Sequence, residues 1–160
     1  MMVYVECYAD KLLVQVLGVP GHLVLHARCK GNVMNGLRRA PCGLGMVDED
    51  PGAAQPQEMS NYCLLSQLQW TVRLIHTTQP QRHLIVLKPR LEDWLYHCAG
   101  AAKLDPSRFG LPDTPAKLRD KPRFDKSPGF HNFLRALSEV SPELQTLRRW
   151  VHDILHLNPA

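Results

Sequence analysis

Apolar residues at the start of the chain have the spacing of a strand and then that of a helix. Residues 2–6, with the sequence MVYVE, form a short run rich in β-branched and aromatic side chains, which favours a strand. The segment YADKLLVQVLG that follows places Leu13, Val16 and Leu17 on one helical face and ends at a glycine. A strand followed by a helix is therefore predicted for this part of the chain.

The same alternation continues to residue 48 and predicts a parallel sheet. The runs HLVLHA at 22–27 and GLGMVD at 43–48 predict the second and third strands, and KGNVMNGLRRA at 30–40 predicts a helix between them. Strands that are joined by helical crossovers pair in parallel. The first half of the chain is therefore expected to have the α/β class of fold.

Further strands and then helices are predicted for the rest of the chain. The pattern indicates a loop at 50–58, a helix at 59–68, strands at 69–76 and 83–87, helical structure from residue 91, a polar connector at 105–129 and a final helix at 142–157. We expect an open, mostly parallel sheet of four or five strands with helices on both faces in residues 1–100. Residues 101–160 are expected to form a helical extension packed on this core, within a single domain.

Composition favours a single intracellular domain with reduced cysteines. The chain has 160 residues, which suits a single core, and it contains no stretch of about 20 apolar residues that could span a bilayer. Its start has neither a basic leader nor a long apolar segment, so a cytoplasmic protein without membrane association is expected. The five cysteines are scattered and form no C-x-x-C pair, which argues against a disulfide framework and a thiolate zinc site.

Three consecutive carboxylates end the predicted third strand, in the sequence GLGMVDEDPGA. Ligands of open parallel sheets bind beyond the carboxyl ends of the strands, where Glu6 and the group 48–50 both fall. Side chains alternate along an extended segment, so Asp48 and Asp50 are expected to point the same way and to meet Glu6. Carboxylates without cysteine or histidine suit a hard cation, Mg²⁺ or Mn²⁺. The alternative is an acidic turn in water.

These residues resemble the Toprim domain of topoisomerases, primases and several nucleases. That family has a glutamate at the end of its first strand and a D-x-D motif at the end of its third, and VYVECYADKLLVQVLG followed by GMVDEDPG has the same order over residues 1–100. The segment HLIVLKPRLEDWLYHCAG is similar to small Toprim-like proteins with a glutamate and a tryptophan after the fourth core strand, here Glu92 and Trp94. The chain departs from the family pattern at Cys7, where glycine is usual.

The resemblance implies a role for each acidic residue. Glu6 corresponds to the acid/base glutamate, and Asp48 and Asp50 correspond to the metal-binding aspartates. Divalent ions assist phosphodiester cleavage by neutralising charge on phosphoryl oxygens and activating water, while a carboxylate relays a proton. Glu92 is a further candidate metal ligand, or else an acidic residue in the first turn of a helix, where the macrodipole favours it. Lys30 is read as a surface lysine at a helix start rather than a catalytic group.

A basic segment, KLRDKPRFDK at 117–126, is the candidate nucleic-acid interface. It has five basic residues against two aspartates, and its proline prevents a continuous helix. Arg119, Lys121 and Arg123 are the predicted phosphate contacts, provided that the segment lies beside the acidic tip. The alternative is a connector whose charges only keep it soluble.

Three functions are compatible with these patterns. The first is a Toprim-like nuclease that cleaves DNA or RNA with Mg²⁺ or Mn²⁺, because the extra domains of topoisomerases and primases are not expected here. The second is a non-catalytic Toprim-like subunit that binds nucleic acid or an ATPase. That ATPase would be a separate partner, since the glycine-containing segment KGNVMNG lacks the spacing of a phosphate-binding loop. The third is a phosphatase that acts on a small substrate.

Overall fold

One six-stranded sheet with helices on both faces forms the centre of the computed structural model, which describes residues 1–157. Its strands are β1 (Met2–Val5), β2 (Val24–His26), β3 (Gly43–Asp48), β4 (Tyr62–Gln67), β5 (Thr71–His76) and β6 (Arg82–Leu87). Its α-helices are α1 (Tyr8–Val16), α2 (Lys30–Arg39), α3 (Leu91–Ala101), α4 (Pro115–Arg119), α5 (Pro128–Val140) and α6 (Pro142–Leu155). Short 3₁₀ helices lie at Gly21–Leu23, Gln57–Asn61, Pro106–Phe109 and Phe124–Lys126.

The strand order is β2-β1-β3-β6-β5-β4. Strands β2, β1, β3 and β6 pair in parallel, whereas β5 and β4 add an antiparallel edge. The α/β class and the mostly parallel sheet are therefore confirmed. Because the four parallel strands run the same way, their carboxyl ends lie together at one end of the sheet. This end of the sheet is called the carboxyl edge.

Two predictions about the sheet were wrong. It has six strands rather than four or five, and residues 59–68 form a 3₁₀ helix and β4 rather than an α-helix. Met59, Tyr62 and Cys63 have helical spacing, but this local pattern does not decide the structure of the segment. Strand β4 is an edge strand with exposed Cys63, Leu64 and Leu65, so it lacks the alternation of a half-buried strand, and its pairing with β5 decides its conformation.

The two faces of the sheet carry different numbers of helices. Helix α2 covers one face, where Val33 and Leu37 pack in a core with residues of β3, β5 and β6. An added Cβ on Gly45 of β3 would lie 2.7 Å from Leu37 and 3.0 Å from Val33. The absence of a side chain at Gly45 therefore allows α2 to lie close to the sheet.

Helices α1, α3, α5 and α6 contribute to one core on the opposite face. Helix α6 is also tied to the sheet by Glu143, whose Oε1 accepts hydrogen bonds from the Trp70 amide (3.0 Å) and from Thr71 Oγ1 (2.5 Å). The predicted final helix stops at Leu155 rather than at residue 157, because His156 has a left-handed backbone with φ of 53°. The apolar residues of 101–157 and of the α/β core thus pack together.

None of the helices within residues 1–157 has both the length and the apolar character needed to cross a membrane.

Candidate functional site

Glu6 and Asp48 are in direct contact at the carboxyl edge of the sheet. Glu6 follows β1, Asp48 ends β3, and the two strands are parallel neighbours with Val5 opposite Met46. The backbone N–H of Asp48 donates a 2.8 Å hydrogen bond to Glu6 Oε1. The contact joins two residues that are 42 positions apart in the sequence.

A third carboxylate, Asp10, was missed by the sequence analysis. It is 3% exposed, and its Oδ2 accepts a 2.9 Å hydrogen bond from the Cys7 amide, while the Asp10 amide donates to Cys7 Sγ at 3.3 Å. This reciprocal pair is a capping box at the start of α1. Asp10 shares the apolar face of α1 with Leu13 and Val14, and an aspartate at that spacing was the available signal.

Cys7 therefore has a structural role at the position where the Toprim pattern has glycine. Burial raises the pKa of its thiol, the nearby Asp10 carboxylate adds to this effect, and the cysteine remains a thiol at neutral pH. The side chain caps the helix that begins immediately after Glu6. Its location fixes the direction in which the chain leaves the site.

Burial, with a further contribution from neighbouring carboxylates, raises the pKa values of Asp48 and Glu6. Burial raises the pKa of Asp48 to about 9, and the negative charges of Asp10, Glu6, Glu92 and Asp50 add to the shift. Burial also raises the pKa of Glu6, which the hydrogen bond from the Asp48 amide and the charge of Lys30 oppose. Without a cation, the cluster therefore favours a protonated carboxyl.

One oxygen of Asp48 lacks a partner. Among the described residues, Asp48 Oδ1 is one of the buried side-chain atoms that make no hydrogen bond. A buried carboxylate oxygen without a donor costs about 1–3 kcal/mol or more. The unpaired oxygen lies in a group of carboxylates, where a bound cation would serve as its partner.

Asp50 forms ion pairs with two basic side chains, Arg90 and Lys30. Its Oδ1 accepts a 2.9 Å hydrogen bond from Arg90 Nε, and its Oδ2 lies 3.9 Å from Lys30 Nζ. The extended conformation ends with Asp48, and Asp50 has a positive φ of 49°. The prediction that the side chains of Asp48 and Asp50 point the same way assumed an extended segment, which ends before Asp50. The charge of Asp50 still contributes to the raised pKa of Asp48.

Lys30 is a buried group of the site, contrary to its interpretation as a surface lysine. Its side chain is 9% exposed, and Nζ donates 3.0 Å hydrogen bonds to the Glu49 carbonyl and to Gln55 Oε1. A cavity of about 470 Å³ opens next to Glu6, Lys30 and Asp50. The start of α2 thus supplies a positive charge to the wall of a cavity that the acidic residues also line.

Glu92 lies in the first turn of α3 and has a basic neighbour. Its Oε2 is 3.4 Å from Arg119 Nε, and the Arg119 NH2 group donates to Asp93 Oδ2 at 2.6 Å. Glu92 is close enough to the buried carboxylates to raise the pKa values of Asp48 and Asp10. It therefore belongs to the same electrostatic cluster, with Arg119 beside it.

The basic segment passes beside the acidic residues. Arg119 contacts α3 through Glu92 and Asp93, and the guanidinium carbon of Arg123 lies 4.8 Å from the centre of the Tyr8 ring, two residues after Glu6. Arg123 also pairs with Asp125 at 2.8 and 3.0 Å, and Lys121 between them is exposed. The segment is thus next to the site, and two of its three candidate phosphate contacts form ion pairs within the chain.

The donor atoms suit a hard cation but are not yet grouped around one. Within residues 1–157, no group of three or more histidine, cysteine, aspartate or glutamate side chains is already arranged to hold a metal ion. The unpaired Asp48 Oδ1 and the neighbouring carboxylates are oxygen donors of the kind that Mg²⁺ and Mn²⁺ bind. Asp50 could join such a site if it exchanged Arg90 for the metal.

Comparison of the chain with protein-family models, curated proteins and solved structures gave no significant match. The likeness to the Toprim domain therefore rests on the sequence motifs and their spacing.

Proposed function

We propose that the chain is a Toprim-like protein that cleaves phosphodiester bonds of nucleic acid with Mg²⁺ or Mn²⁺. The observation that carries the proposal is the contact of Glu6 with Asp48, since Asp48 retains an unpaired buried oxygen among like charges. Such an arrangement is unfavourable for an acidic turn that only faces water, and a divalent cation stabilises it.

Each residue has a role in this proposal. Asp48 and Asp50 hold the metal, and Glu92 is a further candidate ligand. When bound, the metal neutralises charge on the phosphoryl oxygens. Glu6 accepts a proton from the attacking water, which its raised pKa favours over a fully solvated carboxylate. Arg119, Lys121 and Arg123 bind backbone phosphates next to the site.

The experiment is a cleavage assay with labelled single-stranded and duplex DNA and RNA in Mg²⁺ or Mn²⁺. We expect the native protein to cut at least one of these substrates and Glu6→Gln and Asp48→Asn to lose activity by about 100-fold or more, as for the loss of an acid/base group. Glu139→Gln, which removes an exposed carboxylate of α5, should retain native activity. Equal activity of Glu6→Gln and native protein would contradict the proposal.

The pairing of Asp50 favours a second candidate, a non-catalytic subunit that binds nucleic acid or an ATPase. Arg90 and Lys30 hold Asp50 in the place of a metal, and such internal ion pairs could replace the metal altogether. The second candidate predicts nucleic-acid binding that does not depend on Mn²⁺ and no cleavage of any strand. Hydrolysis of a small phosphate ester without cleavage of nucleic acid would instead indicate a phosphatase.

A further inference from the structure

Two aromatic rings and one guanidinium group form a partly exposed group that begins two residues after Glu6. Tyr8, the first residue of α1, is 49% exposed although it is aromatic. Its ring lies 4.0 Å from the His26 ring, centre to centre, with an angle of 39° between the planes. The Arg123 guanidinium lies 4.8 Å from the centre of the same Tyr8 ring. Tyr8, His26 and Arg123 are called the aromatic cluster.

The aromatic cluster is assembled from three separate parts of the fold. Tyr8 follows β1, and His26 ends β2 at the same edge of the sheet, because Val5 and His26 are register partners. Arg123 has a left-handed backbone with φ of 53°, and its side chain is fixed by two hydrogen bonds to Asp125. The planar groups are therefore held in place before any ligand arrives.

We propose that the aromatic cluster is a stacking site for an unpaired nucleobase of the substrate. This inference rests on the proposed action on nucleic acid. Rings of tyrosine and histidine and the guanidinium plane of arginine all stack on bases, and every base offers a flat face. Arg123 adds a positive charge close to the strand backbone, so one surface supplies both stacking and charge.

The location of the aromatic cluster specifies the substrate class. Tyr8 is separated from Glu6 by only Cys7, which caps α1 and fixes the direction of the chain between them. A base stacked on the exposed side of the aromatic cluster would thus belong to a nucleotide near the phosphate at Glu6. Bases inside a duplex have both faces covered, so the site fits a single strand, a loop or a frayed end.

The test compares strands that differ only in their bases. The affinity of the protein for oligothymidylate and oligouridylate is compared with its affinity for strands of the same lengths in which abasic sites replace the bases. Both measurements are made in Ca²⁺ and separately in a chelator. We expect native protein to bind the base-containing strand more tightly. Tyr8→Leu should weaken that binding by about 5- to 100-fold, the range for one lost stacking contact, and Tyr8→Phe should keep it. Neither variant should change the affinity for the abasic strand.

A matched control separates stacking from general loss of an exposed apolar side chain. Leu64→Ala truncates a side chain that is 60% exposed on β4, the edge strand on the other side of the sheet from β2. This variant should bind every oligonucleotide as the native protein does. If Tyr8 only holds Arg123 in place, Tyr8→Leu will lower the melting temperature and leave the preference for bases intact, which overturns the inference. Equal affinity of native protein for base-containing and abasic strands also overturns it, while the proposed nucleic-acid function survives. Failure of native protein to bind any strand overturns both.

Discussion

The Asp48 amide donates a 2.8 Å hydrogen bond to Glu6, which ties the end of β3 to the residue after β1. The bond satisfies Oε1 of Glu6, while Oδ1 of Asp48 remains without a partner. Parallel pairing of β1 and β3 brings the two carboxylates together despite their charge. The fold therefore places buried carboxyl groups close to one another, and the proposed metal is the first property to test.

Removal of either aspartate should weaken binding of Mn²⁺. We expect Asp48→Asn and Asp50→Asn each to lower the affinity by about 10-fold or more, because each substitution removes one charge and one oxygen ligand of a hard-cation site. Isothermal titration with MnCl₂ measures the effect, with Glu139→Gln as the control. Unchanged affinity in both aspartate variants would mean that the acidic tip is only a polar turn.

The parallel part of this fold could be predicted because its signals are local. Alternating strand and helix patterns identified β1, α1, β2, α2 and β3, and the crossover rule predicted that Glu6 and Asp48 end parallel strands at the same side of the sheet. That β1 and β3 are direct neighbours is known from the structure. Strand β4 could not be predicted, because its conformation depends on pairing with β5 rather than on its own pattern. A similar limit applies at Asp50, where the left-handed turn and the contact with Arg90 connect residues 40 positions apart.

The carboxylates of the candidate site could be predicted from the sequence, but the contacts that Lys30 and Asp10 make around them could not. Nothing in the local sequence around Lys30 indicated that its side chain would be buried against the Glu49 carbonyl. Asp10 was detectable from its place on the apolar face of α1, yet its contact with Cys7 depends on where the helix begins. These contacts depend on how loops and helix ends pack, which a single sequence does not specify.

Arg90 should compete with a metal for Asp50. The Arg90 to Asp50 ion pair has to break before Asp50 can bind a cation, so Arg90→Gln is expected to increase Mn²⁺ affinity several-fold. The measurement is the same titration, with Arg149→Gln as the control because it removes an exposed arginine of α6. Weaker Mn²⁺ binding in Arg90→Gln would show that Arg90 supports the metal site instead.

The contribution of Asp48 to the stability of the metal-free protein should fall as pH rises. Burial and neighbouring carboxylates raise the pKa of Asp48 to about 9 in the folded state, against an ordinary value of 3.8. Between these values the folded state keeps a proton that the unfolded state has lost. The stabilising contribution is therefore complete below about pH 4 and is lost as pH rises through the folded pKa.

The pH effect can be isolated with Asp48→Asn, which has nearly the same shape and does not titrate. Melting temperatures are measured in a chelator from pH 4 to pH 9 for both proteins. Each kcal/mol corresponds to about 2–4 °C in a protein of this size, and the native protein should lose stability relative to the variant as pH rises. Mn²⁺ at high pH should restore the native melting temperature. Parallel curves for the two proteins would disprove the role of Asp48.

Thr71 should be essential for the attachment of α6 to the sheet. Its buried hydroxyl accepts a 2.8 Å hydrogen bond from Trp94 Nε1 and donates to Glu143. Thr71→Val has a similar shape but leaves the indole N–H without a partner, which costs about 1–3 kcal/mol. Chemical denaturation measures the loss of unfolding free energy. Thr77→Val, at an exposed position after β5, should have little effect, and equal stability of both variants would contradict this role of Thr71.

The basic segment should contribute to nucleic-acid affinity through phosphate contacts. Arg119 and Arg123 lie beside the acidic site, although both form ion pairs within the chain, and Lys121 between them is exposed. A variant with alanine at all three positions is expected to bind DNA or RNA more weakly. The slope of log affinity against log salt should decrease by about 1 for each phosphate contact that is lost.

A control with the same change in net charge distinguishes local contacts from general electrostatic attraction. It replaces three exposed basic residues outside the basic segment, Lys103, Arg108 and Arg149, with alanine. Both triple variants lose three positive charges. If the basic segment contacts phosphates, the salt slope should decrease more in the first variant than in the control. Retained Mn²⁺ affinity in the first variant would separate strand binding from the metal site. Equal salt slopes for native protein and the first variant would show that the internal ion pairs keep these side chains from the strand.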